Sequence, residues 1–419
     1  MKILDDILLE NKDFCAILNY INLNKTKTPI EPIYVSGVFD SQKSHFIYSL
    51  YKNLNLSNTN IIICESEMKA KKYCADLTFF FKSNNIFYYP SKDIIFYSAD
   101  VKSTEIIKQR FQVIQSLLDN KNITIVLSIE ALFDRLVEKD VFSNFILNFE
   151  LGSEINIEEL AKKLVFMGYE KTDSIESEGS GQFSIRGGII DIFPPNLENP
   201  FRMELWDNEV DSIRLLDKIS GRSIENIYNV MIYPTRELVY DDEILNSAIK
   251  NIIDSFKKDK KVLQKNSKDE ELNNLNDYTM DVINNLKNKK SFSGIDKFIQ
   301  FFYNNSCSIL DYIEHDSILF FDEPSRIQQT ANIVQAEFLE SIKGRLLRSQ
   351  ILTDQKEMIF SYEDVLKSSE KFISINLFNF NNNPHNSNLF FNINAKSSSI
   401  LKNSLENLTD EIIKYKNLD

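Results

Sequence analysis

A chain of 419 residues has room for roughly three domains of ~150 residues each, and its 43% hydrophobic and 26% charged content is ordinary for a globular protein. The net charge of −13 offers no general attraction to phosphate backbones, so the chain is not expected to bind DNA by itself. No apolar run approaches the ~20 residues of a membrane span, and none is expected to cross one.

The first twenty residues mix Asp5, Asp6, Glu10 and Asp13 with apolar positions, a pattern that a signal peptide does not tolerate. Cys15, Cys64, Cys74 and Cys307 form no CxxC pair, and there are three histidines, so no metal site is expected. Reduced thiols and a cytoplasmic location are the simplest expectation.

From Ile33 to about Asn148, short apolar runs ("IYVSG", "NIIICES", "ITIVLS") alternate with longer stretches of helical period. That alternation predicts βαβ units and a parallel sheet. The first run leads into "GVFDSQKS", an incomplete match to the phosphate-loop template GxxxxGK[ST]. In that template backbone N–H groups cradle phosphate, the lysine neutralises it, and the hydroxyl helps hold Mg²⁺. Gly37, Lys43 and Ser44 fill three defined positions, but Gln42 stands where the second glycine belongs. A Cβ there crowds the curl of the backbone and disfavours positive φ.

The texture changes after residue 148. Gly168, Gly179, Gly181, Gly187 and Gly188 fall close together and Pro194, Pro195 and Pro200 follow, which predicts hairpins and a small inserted β-rich domain over 149–234. In "FRMELW", alternation sends Phe201, Met203 and Leu205 to the core and Arg202, Glu204 and Trp206 outward. Asp207-Asn208 is a hairpin turn, and a one-residue bulge near Asp211 or Ser212 is needed to return Ile213 and Leu215 to the core. In "QFSIRGG", Phe183 and Ile185 point inward and Arg186 outward. Arginine and tryptophan sharing a face are typical of binding hot spots. The same pattern also fits arginines paired with Glu204 or Asp211 and a tryptophan covering a hairpin end, and spacing alone leaves both readings open.

After Pro234 helical period returns, lysine-rich from Lys257 to Lys290, as expected of a solvated face. "SILFFDEPSR" predicts another buried strand near 317–326, ending in Asp322 and Glu323. This pair resembles the second nucleotidase motif, in which Asp322 would reach Mg²⁺ through water and Glu323 would polarise the attacking water. "FNFNNNPHNSN" reads as a loop or linker, and a helix is expected over 400–419.

"FSIRGGIIDIFPPNLENPFRMELWDNEVDSIRLLD" resembles the UvrA-binding domain shared by the repair protein UvrB and the bacterial transcription-repair coupling factors, the Mfd family. "YYPSKDIIFYSADVKSTEIIKQRFQVIQSLL", "IVLSIEALFDRLV" and "LDYIEHDSILFFDEPSRIQQ" are similar to the flanking domain of Mfd, so the resemblance covers about residues 1–400. The loop favours Mfd over UvrB, which keeps an intact phosphate loop and a tyrosine-rich DNA-clamping hairpin with no clear counterpart here.

The resemblance implies a degenerate, UvrB-like helicase lobe of α/β class, split into 1–148 and 235–385. The UvrA-binding domain is inserted between them, and 386–419 leads toward a further domain. It implies contact with UvrA through Arg186, Arg202 and Trp206, with tryptophan where a family relative has phenylalanine. It implies no catalytic residue and no cofactor in this chain. ATP and Mg²⁺, RNA polymerase and double-stranded DNA would belong to a longer parent protein, a translocase that releases stalled polymerase, of which this chain is expected to be the N-terminal part. The competing expectation is an ATP-binding UvrB-like lobe with an atypical phosphate loop.

Overall fold

The fold is described from a computed structural model, over residues 7–24, 31–54, 59–82, 85–92, 104–288, 294–380 and 387–394, with Thr409 and Ile413. The stretch 93–103 of the family-like segment, part of the asparagine-rich linker, and nearly all of the helix expected over 400–419 lie outside the described residues.

Two sheets dominate. The first is seven-stranded, built from β1 (Ile33–Ser36), β2 (Asn60–Cys64), β3 (Ile86–Tyr89), β4 (Thr124–Ser128), β13 (Ile318–Asp322), β14 (Ile373–Leu377) and β15 (Phe390–Asn392). Its order is β15-β1-β14-β13-β2-β4-β3, and every recorded pairing is parallel. The central strands β2, β4 and β13 are buried at every position, which is why they read as unbroken apolar runs: helices cover both faces. Ile61 and Ile63 face one core cluster and Ile62 and Cys64 the other. The helices that flank the strands include α1 (Lys12–Asn24), α2 (Ser41–Asn53), α3 (Glu67–Phe81) and α4 (Thr104–Leu118). Because β13 lies between β2 and β14, this sheet closes only when the later part of the chain returns.

Between the two parts comes a six-stranded sheet of β6 (Glu170–Lys171), β7 (Gln182–Arg186), β8 (Ile189–Phe193), β9 (Phe201–Trp206), β10 (Glu209–Leu216) and β11 (Ser223–Ile227), in the order β11-β10-β9-β8-β7-β6. Its own core holds Phe183, Ile190, Phe201, Met203 and Ile213 against α5 (Ile157–Phe166), whose N-terminus is capped by Asn156. The chain enters this region through β5 (Leu147–Glu150) and leaves through β12 (Asn229–Ile232), which pair antiparallel as a ribbon. Beyond it, α6 (Asp242–Lys265) and α7 (Asp269–Lys287) pack together, with Lys257, Lys258, Lys260 and Lys261 exposed as their spacing predicts. The strand β13 is followed at once by α8 (Pro324–Leu347).

One buried charge cluster pins the returning chain to the lobe. Arg110 on α4 donates from Nε to Glu237 Oε1 at 2.5 Å, and from Nη1 to Asp134 Oδ2 at 2.7 Å and to the Pro90 carbonyl. Its guanidinium lies over the Tyr89 ring, and Lys92 Nζ reaches the other oxygen of Glu237 at 2.6 Å. Glu237 stands five residues after the end of β12, so the cluster holds the insert's exit against α4 and the end of β3. Burial alone would raise both carboxyls. At Asp134 burial wins and the value rises, whereas at Glu237 the forked Arg110 contact and Lys92 outweigh it and hold the carboxyl at about 2. A carboxyl depressed from 4.5 contributes stability that is present above 4.5 and lost as pH falls toward 2. Glu237→Gln is therefore expected to lower the unfolding free energy by about 3 kcal/mol at neutral pH. In urea titrations at stepped pH, that gap to the parent should close between about pH 5 and pH 2. A gap that stays constant with pH would contradict the assignment.

Candidate functional site: an open sheet face and a closed phosphate loop

The six-stranded sheet has the hairpins that its glycine and proline punctuation predicts, and Asp207-Asn208 is a turn as expected. Gly187-Gly188 joins β7 to β8, with Gly187 at φ 61° and Arg186 opposite Ile189. Asp207-Asn208 joins β9 to β10, with Asp207 in the left-handed region and Trp206 opposite Glu209. The register then shifts between Val210 and Ser212, so Asp211 is the extra residue of a bulge that restores Ile213 to the core opposite Met203.

These registers place Ser184, Asp191 and Arg202 side by side across β7, β8 and β9, on the face away from Phe183 and Met203. Arg186 is on the same face and its side chain is 55% exposed; that of Arg202 is 28% exposed. Trp206, at the end of β9, is 80% exposed. The arginines do not pair with Glu204 or Asp211. Both grip Asp191: Arg202 by a two-pronged contact (Nε to Oδ1 at 2.7 Å, Nη2 to Oδ2 at 2.9 Å), Arg186 by Nη2 to Oδ2 at 2.9 Å. The Asp191 hydrogen bond raises the pKa of Arg202, so it stays charged. Glu204 instead meets Arg214 and the Ser212 hydroxyl. On the same face Arg214 lies opposite Arg202, and Glu209, opposite the marginal Trp206, adds a carboxylate to Asp191 and Glu204.

The phosphate loop has a different character. Gln42 lies in the first turn of α2, not at a positive-φ position; the left-handed residue is Asp40, at φ 41°. The expected backbone conflict at Gln42 therefore does not arise. The loop is closed by its own bonds. Gln42 N donates to the Phe39 carbonyl and Lys43 N to that of Asp40, while Gln42 Oε1 accepts from Phe39 N. Gly37, at φ 72°, serves close packing: a Cβ there would meet Asn392 Oδ1 at 2.5 Å and Asn394 N at 3.0 Å. Phe39 meets Phe380 edge to face.

Lys43 is 1% exposed, with Nζ 2.6 Å from Asp322 Oδ1 and 2.7 Å from Glu323 Oε1. Lys69 on α3 takes the other oxygen of Asp322 at 2.7 Å, and Glu323 Oε1 also accepts from Asn379 N. Ser44 Oγ faces Asp76 Oδ2 at 3.4 Å. Asp322 also helps push the buried Tyr73 phenol and Cys64 thiol upward, after burial itself. The cavity bounded by Asp40, Lys43, Ser44, Lys69 and Asp76 is about 20 Å³, room for about one water, whereas ligand pockets run to ~300 Å³ or more. A larger cleft of about 210 Å³ lies between α4 and Pro195–Glu198 and touches neither candidate site. Among the described residues there is no cluster of three or more carboxylate, histidine or cysteine side chains placed to hold a metal ion, and no helix long and apolar enough to cross a membrane.

Residues 147–238 match the UvrB interaction domain model. The transcription-repair-coupling factor of Bacillus subtilis is 30% identical over 366 residues, covering 86% of this chain and 30% of the relative. The chain carries a UvrB interaction domain and is homologous to transcription-repair-coupling factors. A transcription-repair-coupling factor of Staphylococcus aureus (strain NCTC 8325 / PS 47) is 26% identical over 339 residues, 78% of this chain and 28% of its own. UvrABC system protein B of Fervidobacterium nodosum is 29% identical over 306 residues, 68% of this chain and 45% of its own. The chain thus spans less than a third of the coupling factors it matches and under half of the UvrB relative.

In this UvrB-like chain the structure brings Arg186 and Arg202 together on one carboxylate with Trp206 along the same strand, and brings Lys43 to Asp322 and Glu323. The residue that sequence reasoning missed is Asp191. Its signal was its outward parity between Ile190 and Ile192 in "IIDIF", a carboxylate on the same side as two arginines. The closed loop makes a stability prediction. Lys43→Ala leaves the buried Asp322 with Lys69 alone and the partly buried Glu323 without its cation, and is expected to cost about 3 kcal/mol of folding free energy without nucleotide. Urea unfolding of the two proteins measures this; equal stability would mean that Lys43 is not a structural counter-ion.

Proposed function

We propose that this chain is a docking module that presents the outer face of its six-stranded sheet to the excision-repair protein UvrA, with Arg186, Arg202 and Trp206 as the contact residues. The observation that carries the reading is an 80% exposed tryptophan in line with two arginines held on one carboxylate. An aromatic anchor beside forked cations is suited to a partner surface that is acidic and partly apolar. The docking unit would be the inserted segment 149–234, on which the interaction-domain match centres.

The α/β lobe, in two parts 1–148 and 235–385, would be the mount. Its loop residues Gly37, Gln42, Lys43 and Ser44, with Asp322 and Glu323, support a lobe that has ceased to turn over nucleotide. The lysine is neutralised, and the loop N–H groups of Phe39, Gln42 and Lys43 are already bonded. In a longer protein of the coupling-factor kind, ATP, Mg²⁺, duplex DNA and RNA polymerase would be engaged by other parts, in the cytoplasm.

Arg202→Ala and Arg186→Ala should each weaken UvrA binding by ~2–5 kcal/mol, and Trp206→Ala by ~2 kcal/mol. Calorimetric titration of each variant against UvrA from the same source measures the loss. Parent-like binding by both arginine variants would overturn the site.

A further inference from the structure

Two guanidinium groups close together repel each other, and long side chains at a sheet surface sample many rotamers. Arg186 and Arg202 come from strands that are not adjacent to each other, with β8 between them. Asp191 on that middle strand is itself buried, with its carboxylate reached from both sides. Both of its oxygens are engaged: Oδ1 by Arg202, Oδ2 by Arg202 and Arg186 together. Arg202, the deeper arginine, has the forked contact, while Arg186 makes a single bond and keeps more of its surface open.

We infer that Asp191 is the positioning residue of the docking face, a fixed carboxylate that holds two cations at a set separation so that a partner meets them already ordered. This rests on the docking reading above. Asp191 would not touch the partner; it acts through the arginines, by lowering the side-chain entropy lost on binding and by screening their mutual repulsion. It also reduces the face's net charge, so its removal has two opposed kinetic consequences. A more positive face meets an acidic partner slightly faster, and unheld arginines release it sooner.

The test is surface plasmon resonance of the 419-residue chain against UvrA at two salt concentrations, with Asp191→Asn, Arg202→Lys and the double variant. Asparagine keeps the shape of aspartate but has one acceptor oxygen and no charge, and lysine keeps the charge of arginine but lacks the fork. Asp191→Asn is expected to raise the dissociation rate about tenfold, with the association rate unchanged or raised at low salt. Arg202→Lys should weaken binding similarly, and the double variant should be little weaker than the weaker single one, because both changes break the same contact. Asp191→Asn binding as the parent does, or more tightly, would overturn the inference, as would penalties that multiply in the double variant. If the Asp191→Asn chain lacks a cooperative melt, Arg202→Lys, which alters a partly exposed side chain, carries the test of the fork, and parent-like binding by it overturns the inference. A parent chain that does not bind UvrA would overturn the docking reading and this inference together. A parent that binds while Asp191→Asn binds equally well would overturn only the inference.

Discussion

An ammonium group sealed from water between two carboxylates sets the character of this lobe. Lys43 sits at the start of a helix that follows the first strand, where a phosphate loop would present its lysine to a nucleotide. Here its ammonium is bound to Asp322 and Glu323, from the end of β13 and the turn into α8. The contact also joins the two parts of the chain, because β1 and α2 precede the insert while β13 follows it. The arrangement is an internal tie between strand end and helix start. Breaking it by removing one partner is costly because the remaining charge has no water to turn to.

The same logic recurs at Arg110, where Asp134, Glu237 and Lys92 converge on the point at which the chain returns from the six-stranded sheet. The ribbon of β5 and β12 joins the two ends of the insert to each other, and this cluster fixes its exit to the lobe. A binding surface gains from such a mount, since less freedom is lost when a partner arrives. On the outer face the ionic contacts differ in kind. They are partly exposed and leave the arginines within reach of solvent, whereas the interior contacts enclose the lysine and arginine that make them.

Much of this was legible in the sequence because it depends on period. Unbroken apolar runs flanked by helical period gave the parallel sheet. Face alternation through "FRMELW" placed Trp206 and Arg202 outward and required a bulge, which falls at Asp211. What alternation cannot supply is register between strands. The meeting of Arg186 and Arg202 at Asp191 depends on the Gly187-Gly188 turn and on the β8–β9 pairing together. The closure of the phosphate loop was hidden for a similar reason: Asn392 and Asn394 lie some 350 residues further along the chain than Gly37, and nothing local marks them as its neighbours. The sequence suggested that Gln42 damages the loop through its backbone. In the structure Gln42 is an ordinary helical residue, and its side-chain oxygen caps Phe39 N.

The central claim is that this chain binds a repair partner and no longer binds nucleotide. Parallel calorimetric titrations of the unmodified chain, one with UvrA from the same source and one with ATP and Mg²⁺, test both halves at once. The account predicts saturable heat with UvrA and none with ATP. Saturable heat with ATP, abolished by Lys43→Ala in a protein that remains folded, would contradict the closed loop, and silence with UvrA would contradict the docking face.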